Sequence, residues 1–170
     1  MLSPIESICQ SASSLSDVQI HILKNSEKLL QFASDLSHRK IYVYVPGQEQ
    51  DTLVLAAQRR PFFQGTSSLA ELPGSGVIVT RYDEPLVWQV LMTGNPIKGM
   101  IETNYGQMEP ISCYPFVDNG GLAIGVISFV GRIEKSRDIL TETAFLSLQV
   151  PIEEPMNRLY QRLSLQDGII

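Results

Sequence analysis

Residues 107–130 read QMEPISCYPFVDNGGLAIGVISFV. Two strands joined by a tight turn account for this stretch. Ile111, Cys113, Pro115 and Val117 alternate with Ser112, Tyr114 and Phe116, the period of two that a strand's two faces impose. Asp118-Asn119-Gly120-Gly121 follows, where Asn and Gly tolerate the positive φ of a hairpin turn. Residues 122–130 are almost continuously apolar, too much so for an edge strand with one wet face. Gly125 within them predicts a bulge or a close backbone approach. The hairpin reads as the centre of an antiparallel sheet.

The strands on either side agree. Ile41-Tyr42-Val43-Tyr44-Val45 is β-branched and aromatic. Residues 46–51 turn the chain, and 52–57 return it as a first hairpin. Residues 62–75 lack periodicity and read as loop. Residues 77–79 form a short apolar run, strand or buried helical turn. Asp83, Glu84 and Pro85 mark a helix start, with Glu84 at the positive end of the dipole. Leu86, Val87, Val90 and Leu91 continue that helix until Gly94 and Pro96 end it. Residues 97–104 read as a further strand.

The flanks are helical. Residues 1–14 form a short helix or arm. Ser16 and Gln19 have capping-box spacing. Leu15, Val18, Ile22, Asn25, Leu29, Phe32 and Leu36 then recur in steps of three and four, a seam of about three heptads. The seam predicts a dimer interface in which the polar Asn25 sets register. A single amphipathic helix packed on its own sheet is the competing reading. Leu140, Ala144, Phe145 and Leu148 predict a helix near the end, and Met156, Leu159, Tyr160 and Leu163 another. Asp167-Gly168-Ile169-Ile170 reads as the start of a strand, so the chain is expected to be a fragment cut at a domain boundary. The divisions are a helical segment over 1–40, a sheet core over 41–135, and a C-terminal helix and linker over 136–170. The fold class is α+β, with a central antiparallel sheet of about five or six strands and flanking helices.

Composition narrows the function. The chain has 170 residues, enough for one domain, and 44% apolar content, enough for a core. Its net charge of −5 comes without a basic patch, which argues against nucleic acid and anionic membranes as partners. No apolar run reaches the roughly 20 residues a membrane span needs. Cys9 and Cys113 stand far apart and read as reduced thiols of a cytoplasmic protein.

No catalytic or metal-binding motif is present, so the chain is expected not to be an enzyme, and its sequence names no cofactor. Asp83 and Glu84 are explained by the helix start. His38, followed by Arg39 and Lys40, invites a phosphoacceptor reading. A cationic cluster at a helix C-terminus, favourable to the dipole, is the preferred explanation, since the residues that follow are extended and no nucleotide-binding domain is present to phosphorylate it. Arg59, Arg81, Tyr105 and Cys113 are the candidate pocket residues for a small ligand between the sheet and loops 61–76 and 94–107.

Residues 76–129 resemble the GAF-like N-terminal sensor domain of cytoplasmic sensor histidine kinases. The resemblance rests on Glu84-Pro85, on Thr93-Gly94 and Pro96, on Tyr114-Pro115, and on Gly125-Val126-Ile127 after the Asn119-Gly120 turn. It implies a GAF/PAS-like fold and a homodimer joined through terminal helices. It also implies PAS and kinase domains downstream, and a non-catalytic sensor role. The end of the chain is similar to the linker helix and first strand of such a PAS domain. A purely structural dimerisation module of the same fold is the alternative. A small enzyme on the same scaffold is a third reading, but it would need a cysteine cluster.

Overall fold

A computed structural model describes residues 2–62, 74–103, 106–132 and 138–149. The chain runs α1 (Pro4–Ala12), α2 (Asp17–Ser26), a 3-10 turn (Glu27–Leu29), α3 (Leu30–Ser37), β1 (Lys40–Pro46), β2 (Thr52–Arg59) and β3 (Ile78–Thr80). It continues through α4 (Pro85–Thr93), β4 (Ile97–Glu102), β5 (Met108–Val117), β6 (Ala123–Val130) and α5 (Asp138–Gln149). The strands form one antiparallel sheet in the order β3-β2-β1-β6-β5-β4, an α+β fold as expected. The expected linker helix and terminal strand after residue 150 lie outside the described residues, as does most of loop 62–75.

The 107–130 hairpin supplies β5 and β6. Residues 124–130 are all buried because β6 lies between β1 and β5 and carries side chains on both faces. At the turn, Asp118 Oδ1 accepts from the amides of Gly120 at 2.9 Å and Leu122 at 3.0 Å, and Gly121 takes φ 84°. Gly125 marks a close approach: a Cβ there would lie 2.9 Å from the Tyr44 carbonyl oxygen of β1.

The sheet has two covered faces. One carries Ile41, Val43, Val45, Val54, Tyr114, Phe116, Ile127 and Phe129, and packs against α1, α2, α3 and α5. The other carries Tyr44, Leu53, Leu55, Ile111, Cys113, Val126 and Val130 beneath Val87, Val90 and Leu91 of α4. Pro85 opens α4 and Gly94, at φ 71°, closes it, as the sequence predicts.

The N-terminal segment departs from expectation. Ser3 with Glu6, and Ser16 with Gln19, both form complete capping boxes. The 15–36 seam, however, is not one helix. The Ser26 hydroxyl donates to the Leu23 carbonyl at 2.7 Å, and a 3-10 turn follows at once. Serine back-bonding bends helices. Three residues at 3.0 per turn also advance the phase by roughly 60° over an α-helix. Ile20, Leu23, Leu30 and Ala33 therefore become the core positions. Leu15, Ile22, Leu29 and Leu36 pack against that same core, as the single-helix reading required of its apolar face. Val18 and Phe32 are 70% and 54% exposed.

The cationic cluster at the end of α3 also needs correction. His38 is the left-handed cap, at φ 58°, and stands off the helix. Arg39 is fully buried rather than at the surface. Its Nε donates to Gly131 O at 3.2 Å, one terminal nitrogen to Ser112 Oγ at 2.8 Å, and the other to Pro110 O at 3.0 Å. Three donors in a planar fork tie β1 to the ends of β5 and β6.

Candidate functional site

Strand register lays out the site in rows. Lys40, Tyr42 and Tyr44 alternate along one face of β1. Lys40 pairs with Val130, which pairs with Ile111, which pairs with Gly99. One step along, Tyr42 pairs with Ser128, Ser128 with Cys113, and Cys113 with Ile97. These rows face α4, the side opposite the terminal helices. Gly99 lets α4 come close, since a Cβ there would lie 3.2 Å from Leu86 Cδ1.

Between these rows and the start of α4 lies a cavity of about 140 Å³. Lys40, Tyr42, Tyr44, Glu84, Ile101, Thr103, Ile111, Ser128 and Val130 line it. Its polar groups are four hydroxyls, one carboxylate and one amine.

Glu84 has a different role from the one its position suggests. It occupies the N-cap of α4, yet its side chain makes no capping hydrogen bond. The carboxylate turns to the sheet instead, where Tyr44 Oη donates to Oε1 at 3.2 Å. Burial raises the carboxyl's pKa above the ordinary value of 4.5; the Tyr44 hydrogen bond opposes this and the neighbouring Asp83 charge adds to it. Asp83 does not cap the helix either: its Oδ2 accepts from Thr80 N at 2.8 Å and Thr80 Oγ1 at 3.0 Å. That bond pair pins the turn before α4 and so positions Glu84.

The tyrosines respond to the same environment. Burial pushes Tyr42 up to about 12, aided by the Glu109 and Glu84 charges and opposed by Arg60. Burial and Glu84 hold the Tyr44 phenol protonated well above its ordinary range. At the far end of the row, Lys40 Nζ lies 3.6 Å from Glu109 Oε2.

The candidate residues from sequence are scattered. Cys113 lies beside the cavity, 3.4 Å from the lining Ser128 hydroxyl, and burial pushes its thiol up to about 11. Arg59 pairs with Ile41 on the helix-covered face, opposite the cavity. Arg81 sits by the far edge of the sheet, 3.8 Å from Asp51 and stacked 4.9 Å over the Tyr82 ring. Tyr105 lies outside the described residues. Tyr42, Tyr44, Glu84 and Ser128 were missed, although Tyr42 and Tyr44 at i and i+2 in a strand were the available signal.

Known proteins share this fold. The sequence matches, over residues 5–144, the family model described as the GAF domain of the histidine kinase PdtaS. A sequence comparison with curated proteins found no match. Among solved structures, the sensor region of a sensor histidine kinase superimposes with TM-score 0.61 at 19% identity, covering 86% of this chain and 52% of that one. The chain thus spans about half the length of that sensor region. An IclR transcriptional regulator from Alicyclobacillus acidocaldarius gives 0.54 at 12% identity, covering 86% of this chain and 70% of that one. An IclR homologue from Microbacterium hydrocarbonoxydans, complexed with 4-hydroxybenzoate, gives 0.51 at 7% identity, with coverages of 78% and 68%. At these identities the likeness is one of fold. The family match covers most of the chain: it belongs to the family of GAF domains of the histidine kinase PdtaS, and is by that membership a sensory regulatory domain.

Proposed function

We propose that this domain senses a small molecule held in the cavity between α4 and the sheet, and passes the signal to a histidine kinase core in the same protein. The observation that supports this is the chemistry of the cavity wall. Apolar voids stay dry and need no occupant. This one presents a carboxylate, an amine and four hydroxyls around about 140 Å³. An engineered cavity of about 150 Å³ accepts benzene, which sets the ligand at a handful of heavy atoms.

The output route runs through the sheet. Tyr42 and Tyr44 face the cavity, while the alternating Ile41 and Val43 pack under the terminal helices. A shift of β1 on ligand binding changes the seat of α2, α3 and α5. Exposed Val18 and Phe32 are the seam positions left for contact with a second copy, with half-buried Asn25 between them. Ligand then biases the kinase by differing affinity for two packings of that interface.

Native mass spectrometry of the purified chain tests both parts. A dimer carrying a small added mass that is lost on unfolding is expected. If no mass is carried, no small-molecule panel shifts unfolding, and the cavity-filling Ile101→Trp leaves kinase output unchanged, the ligand reading is wrong. Val18→Asp with Phe32→Ser is expected to give monomers, and an unchanged dimer would remove the interface from the seam.

A further inference from the structure

Glu84 is a half-buried carboxylate on the cavity wall, and among the described residues no cation forms an ion pair with it. Its side chain holds one hydrogen bond, from Tyr44 at 3.2 Å. The ion pairs among the described residues are Lys24–Glu6, Lys40–Glu109, Arg81–Asp51 and Lys98–Glu142, and Glu84 belongs to none. A charge withdrawn from water is costly unless it is paired. The other lining charge, Lys40, already has Glu109. Arg60 influences Tyr42 but is not part of the cavity wall. The same cavity wall includes Tyr44, bonded to Glu84, and the apolar Ile101, Ile111 and Val130.

We propose that the cavity takes a small protonated amine, its ammonium on Glu84 and a short apolar tail against Ile101, Ile111 and Val130. This rests on the ligand-sensor reading above and narrows it to one chemical class. Oε1 is engaged by Tyr44 and Oε2 accepts from the ammonium, a charge-assisted bond in a partly desolvated site. The two tyrosine rings on the wall add attraction for a cation. The cavity volume limits the tail to about the size of an isobutyl group or a phenyl ring.

The test is calorimetric titration of the intact domain with three matched probes: isobutylamine, valine and isovalerate. They share one branched tail and differ in carrying an amine, both charges, or a carboxylate. Isobutylamine is expected to bind most tightly, with isovalerate at least tenfold weaker. Glu84→Gln keeps an acceptor for Tyr44 and is expected to lose at least tenfold in isobutylamine affinity. Tighter binding of valine overturns the proposal in favour of a zwitterion that takes Lys40 from Glu109. Tighter binding of isovalerate overturns it outright, yet leaves the ligand-sensor reading standing. If none of the three binds while another small molecule does, the amine class fails alone. If no small molecule binds, both readings fail.

Discussion

Tyr44 Oη and Glu84 Oε1 are joined by a 3.2 Å hydrogen bond across 40 residues of sequence, from the middle of β1 to the N-cap of α4. This contact holds the start of α4 against the sheet and directs a carboxylate into the cavity. Burial at that position outweighs the opposing effect of the bond, so the carboxyl binds its proton more tightly in the folded chain than in an unfolded one.

The pH dependence follows from that direction. Glu84's contribution to stability is fully present below the ordinary value of 4.5 and is lost as pH rises through the raised one. Gln does not ionise and still accepts from Tyr44. The melting temperatures of wild type and Glu84→Gln are expected to agree in acid. The variant should become the more stable as pH approaches neutrality. Parallel curves across that range would show that burial does not raise this pKa.

Gly125→Ala tests the closeness of β1 and β6. The new Cβ would lie 2.9 Å from a backbone oxygen, which cannot rotate away. A loss of about 1–3 kcal/mol is expected in urea unfolding, as for overpacked cores. Because the oxygen belongs to Tyr44, binding in the cavity should weaken as well. A neutral effect on both would mean that the strands part freely there.

Arg39→Met replaces a fully buried guanidinium with an apolar chain of similar length. It leaves the carbonyls of Pro110 and Gly131 and the hydroxyl of Ser112 without that donor. Pro110 O keeps the Gly131 amide as a donor, so the loss falls on the buried Ser112 hydroxyl and the part-buried Gly131 carbonyl; at about 1–3 kcal/mol for a stranded buried group, a loss of a few kcal/mol is expected by chemical denaturation. Arg39→Lys should recover only part of this, since an ammonium lacks the planar fork.

Both thiols are expected to be inert in the folded domain. Cys9 and Cys113 are fully buried, and burial pushes each up to about 11, so the reactive thiolate is scarce at neutral pH. Labelling by a disulfide reagent should be slow until denaturant is added. Fast native labelling of Cys113 would mean that the cavity opens to the sheet.

Local chemistry alone determined much of the architecture. The 107–130 hairpin, the capping box of Ser16 and Gln19, and the Pro85 and Gly94 ends of α4 depend on neighbours within a few residues. Such signals are complete in the sequence, and the close approach at Gly125 was legible for the same reason: a glycine in a buried strand needs one. Tertiary structure decided which residues meet. Arg59 shares the odd parity of Leu53 and Leu55, and simple alternation would put it on the α4 side with them. The register slips between Val43 and Tyr44, so that Ala57 and Leu55 oppose consecutive β1 residues and Arg59 lands on the other face. The 15–36 seam likewise has heptad spacing, yet Ser26 and the 3-10 turn reset its phase and gave most of it to the protein's own core. Glu84 reads as a helix-start residue by position and became a cavity residue because Tyr44 stands opposite. A one-residue slip or a distant hydroxyl leaves no periodic trace in a sequence, whereas it determines completely the side of the sheet on which a charge is buried.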